Sequence, residues 1–112
     1  MKKDIDIIKH MDEDVFDIMS FTTNQNIISF SDSPLLRKAV CMSLINIGEL
    51  TKSLSSSFKK EHSEIPWKNI AGLRDVTAHK YHTLNLDVIW AVATIEIPKL
   101  KKFIDEILST LS

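Results

Sequence analysis

The stretch SPLLRKAVCMSLINIGEL, residues 33–50, decides the fold of this 112-residue chain. Ser33 is a favoured N-cap and Pro34 a favoured first helical residue, so we predict a helix from here to about Phe58. One neighbour cannot cover a helix that is apolar nearly all round. We therefore expect this helix at the centre of a bundle or at a subunit interface. Its apolar residues are Leu35, Leu36, Ala39, Val40, Met42, Leu44, Ile45, Ile47 and Leu50.

Gly48 lies within this apolar helix. A glycine costs a helix interior about 1 kcal/mol relative to alanine, so a compensating contact is expected. A tight helix crossing or the close approach of a ligand would supply that contact.

Hydrophobic residues at helical spacing predict three further helices. The first runs from about Asp4 to Phe21, and the third begins near Pro66 and ends around residues 74–81. The polar segment 55–63 is expected to be a loop that joins the second helix to the third.

The fourth predicted helix has Asn85 or Asp87 as its N-cap and runs to the C-terminus. Pro98 lies inside it and should kink the helix or lengthen one turn. Short connections between neighbouring helices are typical of an all-α, antiparallel four-helix bundle, and we expect residues 1–112 to form one such helical domain.

Composition and charge narrow the possible functions. The formal net charge is −1, so any contact with nucleic acid would come from a local patch or a partner. No apolar run approaches membrane-spanning length, and the N-terminus lacks the apolar core of a signal peptide. Cys41 stands alone in an apolar run and is expected to be a buried thiol in a reducing cytoplasm.

The residues best suited to catalysis lie in the stretch GLRDVTAHKY, residues 72–81. Arg74 offers a permanent charge and a fork of donors suited to phosphate, and His79 can move protons near neutral pH. The two lie about 140° apart on a continuous helix, so one copy cannot easily aim both at one atom. Two copies across a twofold axis could bring them to a shared cleft. The plainer interpretation is that Arg74 pairs with a carboxylate and His79 caps a helix end.

Two further residues of this stretch each have more than one possible role. Asp75 shares a helix face with His79 and would either orient the imidazole or have no catalytic part. Tyr81 would stack on a base, be a target of modification, or be half-buried at a helix end.

Other polar groups are weaker candidates. His79 and His82 could share a metal, but nothing completes the ligand set, so neither a metal nor another cofactor is expected. Lys99, Lys101 and Lys102 form either a solvated face or an edge that guides phosphate.

The chain resembles the HepT-like branch of the HEPN superfamily, a group of small helical prokaryotic proteins, over most of its length. The resemblance lies in Phe30, Asp32, Ala39-Val40, Asn46-Ile47-Gly48-Glu49, Ile65 to Asp75, Ala78 to Tyr81 and Val88-Ile89-Trp90.

The resemblance implies a toxin of a toxin–antitoxin pair. Such proteins are metal-independent endoribonucleases that form homodimers, in which Arg-x4-His-x-Tyr motifs line one cleft. It implies that Arg74 and His79 are catalytic, and that Asp75 is a supporting polar residue where the branch often has asparagine. Tyr81 would match the tyrosine that an MntA-like nucleotidyltransferase antitoxin modifies with AMP.

Two other functions stay open at this stage. The chain could be a non-catalytic helical partner that presents a nucleotide or substrate to a nucleotidyltransferase. It could also be a purely structural bundle, in which the motif only fixes how the helices pack.

Overall fold

A computed structural model describes residues 2–74 and 86–110 of the chain. Over these residues the protein is helical, which confirms the all-α prediction. The elements are α1 (Lys2–Thr22), α2 (Ile27–Asp32), α3 (Pro34–Lys52), α4 (Ser56–Glu61), α5 (Trp67–Ala71), α6 (Leu86–Ala91), a π-helical segment (Val92–Glu96) and α7 (Ile97–Ser109).

The core is formed mainly where α1 packs against α3 and α7, and where α3 packs against α5. Apolar residues three or four positions apart put one face of each long helix into this core. The fully buried side chains include Ile8, Met11, Val15 and Ile18 of α1, Val40, Leu44 and Ile47 of α3, and Ile97 and Ile104 of α7. Cys41 is also buried, as predicted, and burial raises the pKa of its thiol.

The predicted start of α3 is confirmed. Ser33 Oγ accepts a hydrogen bond from the backbone N–H of Leu36 at 3.1 Å, and Pro34 is the first helical residue. The short helix α2 precedes it and begins with a capping box, in which Asn26 and Ser29 each bond the other's backbone N–H at 2.9 Å.

The predicted end of α3 and the predicted loop after it are both wrong. The helix ends at Lys52 and not near Phe58, and residues 56–61 form α4. Ser55 is the reason, because its Oγ accepts a hydrogen bond from the N–H of Phe58 and so starts a new helix. Phe58 is buried there, with its ring centroid 6.1 Å from that of Trp67.

The third predicted helix begins at Trp67, one residue after Pro66. Trp67 is buried, and its indole N–H donates to the carbonyl of His62 at 3.0 Å. The chain turns at Gly72, and Leu73 and Arg74 are again helical. The remainder of this predicted helix lies outside the described residues.

The C-terminal helix is irregular near Pro98, as predicted. The π-helical segment ends at Glu96, two residues before this proline, and supplies the lengthened turn. Asn85, one of the two predicted N-caps, lies outside the described residues, whereas Asp87 is in the first turn of α6. No described helix is both long enough and apolar enough to cross a membrane.

Candidate active site

Arg74 lies just after α5 and faces α3. Its Nε is ion-paired with the Oε1 of Glu49, and both side chains are partly exposed to solvent. Sequence reasoning left open whether Arg74 pairs with a carboxylate, and the structure shows that it does. Glu49 itself was not singled out as a partner, although it directly follows Gly48, where a close approach was expected.

Gly48 is the point at which α3 and the chain carrying Arg74 come closest. A Cβ added at Gly48 would lie 2.7 Å from the backbone nitrogen of Arg74, 2.9 Å from its Cβ and 3.0 Å from the carbonyl oxygen of Ala71. Real Cβ atoms essentially never approach other atoms below 3.0 Å. The expected tight helix crossing is therefore confirmed, and it brings the Arg74 backbone directly onto α3.

The solvent face of α3 carries a line of large side chains that ends at this ion pair. Leu35 is 81% exposed and Met42 is 59% exposed. Residues seven apart lie on nearly the same side of a helix, so Leu35, Met42 and Glu49 share a face. We call these three residues the α3 stripe. The helix is thus apolar toward the core, and its solvent face exposes Leu35 and Met42 among the polar residues Lys38, Asn46 and Glu49.

One side of Glu49 borders a small acidic groove of 350 Å³ between α1 and α3. Burial raises the pKa of Asp14 in this groove, while a hydrogen bond from Asn46 acts in the opposite direction. The acidic side chains of this groove would repel a phosphate. The groove is lined by His10, Glu13, Asp14, Asp17, Asn46, Glu49 and Leu50.

A larger and mostly apolar cleft of 540 Å³ lies between α5 and the C-terminal helical region. Leu73, the neighbour of Arg74, is part of its wall, and Glu96 and Lys99 from the C-terminal region also line it. These two charged side chains are 3.7 Å apart at the closest N···O distance. The cleft is therefore a surface for apolar groups rather than for phosphate.

The basic cluster on α7 is largely neutralised. Lys101 Nζ lies 2.9 Å from a carboxylate oxygen of Asp12 and 3.0 Å from one of Asp105, and these hydrogen bonds raise its pKa. With Lys99 near Glu96, two of the three lysines have acidic partners. Of the two interpretations, a solvated face fits these contacts better than an edge that guides phosphate.

Arg74 is the one predicted site residue within the described part of the chain. Asp75, His79 and Tyr81 lie outside it, as does His82. Within residues 2–74 and 86–110, no group of three or more His, Cys, Asp or Glu side chains is arranged to hold a metal ion. The structure brings Gly48 and Glu49 of α3 against Arg74.

Comparison with known proteins identifies the family of the chain. The family described as "Ribonuclease HepT-like" matches residues 11–107, which include α3, Arg74 and most of α7. This match agrees with the resemblance seen in the sequence. No solved structure matches the chain.

Several curated proteins are similar to the chain. A "Putative RNase" of Caldanaerobacter subterraneus subsp. tengcongensis is 45% identical over 84 residues, covering 72% of this chain and 75% of that protein. A "Gamma-glutamylcyclotransferase and putative RNase" of Methanocaldococcus jannaschii is 35% identical over 112 residues, covering 99% of this chain and 50% of that protein. A "Probable ribonuclease HepT" of Thermococcus cleftensis is 40% identical over 63 residues, covering 56% and 57%. The chain thus spans only about half the length of the last two relatives.

Proposed function

The chain belongs to the HepT-like ribonuclease family, and on that premise we propose that it is a metal-independent endoribonuclease that acts as the toxin of a toxin–antitoxin pair. One observation carries the proposal to specific residues. The arginine of the Arg-x4-His-x-Tyr motif packs against α3 and pairs with Glu49, the last residue of the α3 stripe, which also exposes Leu35 and Met42. An arginine placed beside a surface suited to a second subunit is what a shared cleft requires.

The chemistry assigned to the motif is an internal transfer of the phosphodiester. His79 takes the proton of a ribose 2′-hydroxyl, and the 2′-oxygen attacks the adjacent phosphorus. The bond from phosphorus to the 5′-oxygen breaks, and the second subunit's His79 protonates the leaving oxygen. Arg74 stabilises the charge that builds on the phosphoryl oxygens. The products are a 2′,3′-cyclic phosphate and a 5′-hydroxyl, and positioned acid–base groups contribute about 10²–10⁴-fold in rate.

The proposed active form is a homodimer that buries the α3 stripe. Leu35 and Met42 expose apolar surface that a monomer would leave in water. From Leu35 to Glu49 the stripe extends about 21 Å along the helix, at 1.5 Å per residue. A twofold axis across this face would bring two copies of Arg74 to the same interface.

The proposed control is modification of Tyr81 with AMP by an MntA-like nucleotidyltransferase antitoxin. The added nucleotide brings bulk and a negative charge to the mouth of the cleft. A phosphate group next to an RNA-binding arginine repels the substrate, so the modified toxin would be silent. Asp75 keeps its proposed place as the polar residue that supports His79.

The test is cleavage of total RNA in EDTA by wild type, Arg74→Ala and His79→Ala, with the fragment ends identified. Wild type should leave 2′,3′-cyclic phosphate, and both variants should lose activity. Lys102→Ala and His10→Ala remove the same kinds of side chain from exposed positions and should cleave like wild type. Equal cleavage by all five folded proteins would refute the assignment.

A second function is favoured by one observation, the ion pair itself. A carboxylate already offsets the charge of Arg74, and an acidic groove flanks it. An arginine whose charge is offset in this way is less suited to stabilise a reacting phosphate, which favours a non-catalytic helical partner that presents a nucleotide or substrate to a nucleotidyltransferase. This function predicts nucleotide binding by a folded, unmodified dimer that does not cleave RNA.

A further inference from the structure

We propose that Glu49 is a positioning residue for RNA cleavage, and that it acts by holding the guanidinium of Arg74 in the orientation that receives the phosphate. The inference rests on the proposed ribonuclease function. The pair joins Glu49 Oε1 to Arg74 Nε, the nitrogen nearest the aliphatic part of the side chain. A bond at this nitrogen restrains the last rotation of the side chain and therefore the plane of the guanidinium.

Gly48 makes this restraint effective. With no side chain at residue 48, the backbone nitrogen and Cβ of Arg74 can lie against α3, where any Cβ would collide with both. The Arg74 backbone is thereby placed beside Glu49, the next residue of α3. Gly48 allows the backbone of Arg74 to approach α3, and Glu49 orients its side chain. The two neighbouring residues of α3 therefore position Arg74 together.

The negative charge of Glu49 by itself would be expected to hinder RNA binding. A carboxylate beside Arg74 lowers the positive potential that an RNA phosphate meets, so a bystander at this position would only weaken binding. Any gain in cleavage rate from Glu49 must therefore come from orienting Arg74, because the guanidinium donors have to lie where charge develops in the transition state. Glutamine separates the two effects, since its amide oxygen still accepts a hydrogen bond but carries no charge.

The first measurement is the steady-state cleavage of a short RNA by wild type, E49Q and E49A. We expect E49A to lower kcat by about 10- to 100-fold, the cost of a reacting group that is displaced by about 1 Å. E49Q should keep kcat within about twofold of wild type and lower KM by about two- to fivefold, the size of a partly exposed charge effect. A kcat for E49A equal to that of wild type, or an equal rise of activity in both variants, would overturn the proposal.

A spectroscopic measurement tests the same point without activity. Arg37 and Arg74 are the two arginines of the chain, so ¹⁵N-arginine labelling of the full-length protein gives two Nε–H signals, which R37K assigns. The Arg74 signal should be sharp and slow to exchange with water in wild type and E49Q, and fast to exchange in E49A. E49S is measured in parallel, so that a folding defect in one truncation does not decide the result.

The two measurements separate the possible failures. If wild type does not cleave RNA, the proposed function fails, and the Nε–H signals alone decide whether Glu49 orients Arg74. If wild type cleaves RNA and E49A keeps both its kcat and a protected Nε–H, Glu49 has no positioning role and the ribonuclease function stands.

Discussion

The carboxylate of Asp4 holds Ser55 at both its backbone and its side chain. One oxygen of Asp4 accepts from the backbone N–H of Ser55 and the other from its Oγ, each at 2.8 Å. Asp4 is in the first turn of α1, and Ser55 is the N-cap of α4. This contact joins two residues that are 51 positions apart in the sequence, and it holds the start of α4 against α1.

Loss of this carboxylate should destabilise the fold in a way that depends on pH. The hydrogen bond from the Ser55 backbone is the main cause that lowers the pKa of Asp4 below its ordinary value of 3.8. A depressed pKa in the folded state means that the stabilisation is complete above the unfolded pKa and is lost as pH falls through the folded one. Asp4→Ala should cost about 1–3 kcal/mol at neutral pH. Urea titrations at pH 7 and pH 3 should show a smaller difference between variant and wild type at the lower pH, and a constant difference would contradict the role of the charge.

Phe58 should contribute to the core although it lies in a segment that reads as polar. It is almost completely buried and contacts the rings of Trp67 and His62, the latter at 4.6 Å between centroids. Phe58→Ala should lower the free energy of unfolding by about 3–5 kcal/mol. Phe16→Ala is the matched control, because Phe16 is exposed. Thermal unfolding of both variants checks this, and similar midpoints would show that α4 is not part of the folded core.

Gly48→Ala should disturb the site, whereas Gly72→Ala should be tolerated. The new Cβ at residue 48 would press on the Arg74 backbone, and overpacking of this kind costs about 1–3 kcal/mol. At Gly72 the nearest atoms to a new Cβ are 3.4 and 3.5 Å away, the second an ordinary contact. Urea unfolding measures the stability of each variant, and the exchange rate of the Arg74 Nε–H signal shows whether the guanidinium is still held by Glu49. A Gly48→Ala protein as stable as Gly72→Ala, with an unchanged Arg74 signal, would contradict this close packing.

Met42→Glu should dissociate the proposed dimer. A buried, unpaired charge in an apolar interface costs several kcal/mol, so the variant should be monomeric at micromolar concentration. Ile95→Glu places the same charge on an exposed isoleucine of the π-helical segment and should leave the dimer intact. Light scattering after gel filtration measures both masses. If Met42→Glu keeps the mass of wild type, the α3 stripe is not the interface.

Sequence reasoning predicted the parts of the fold that depend on local chemistry. Helical spacing of apolar residues located the long helices, and the Ser33-Pro34 pair placed the start of α3 correctly. It failed at α4, because a short polar stretch carries too little periodicity to show a helix. Ser55 starts that helix, and the carboxylate that holds Ser55 comes from the far end of α1.

The same distinction between local sequence and tertiary packing applies to the candidate site. By itself the sequence determined that the chain is helical, that it carries the Arg74–His79–Tyr81 motif and that Gly48 needs a close contact. Only the tertiary structure decided that this contact is Arg74 and that Glu49 is its partner. Periodicity encodes which face of a helix is apolar, but an ion pair between two helices depends on where and at what distance they cross. That crossing is set by the packing of the whole core.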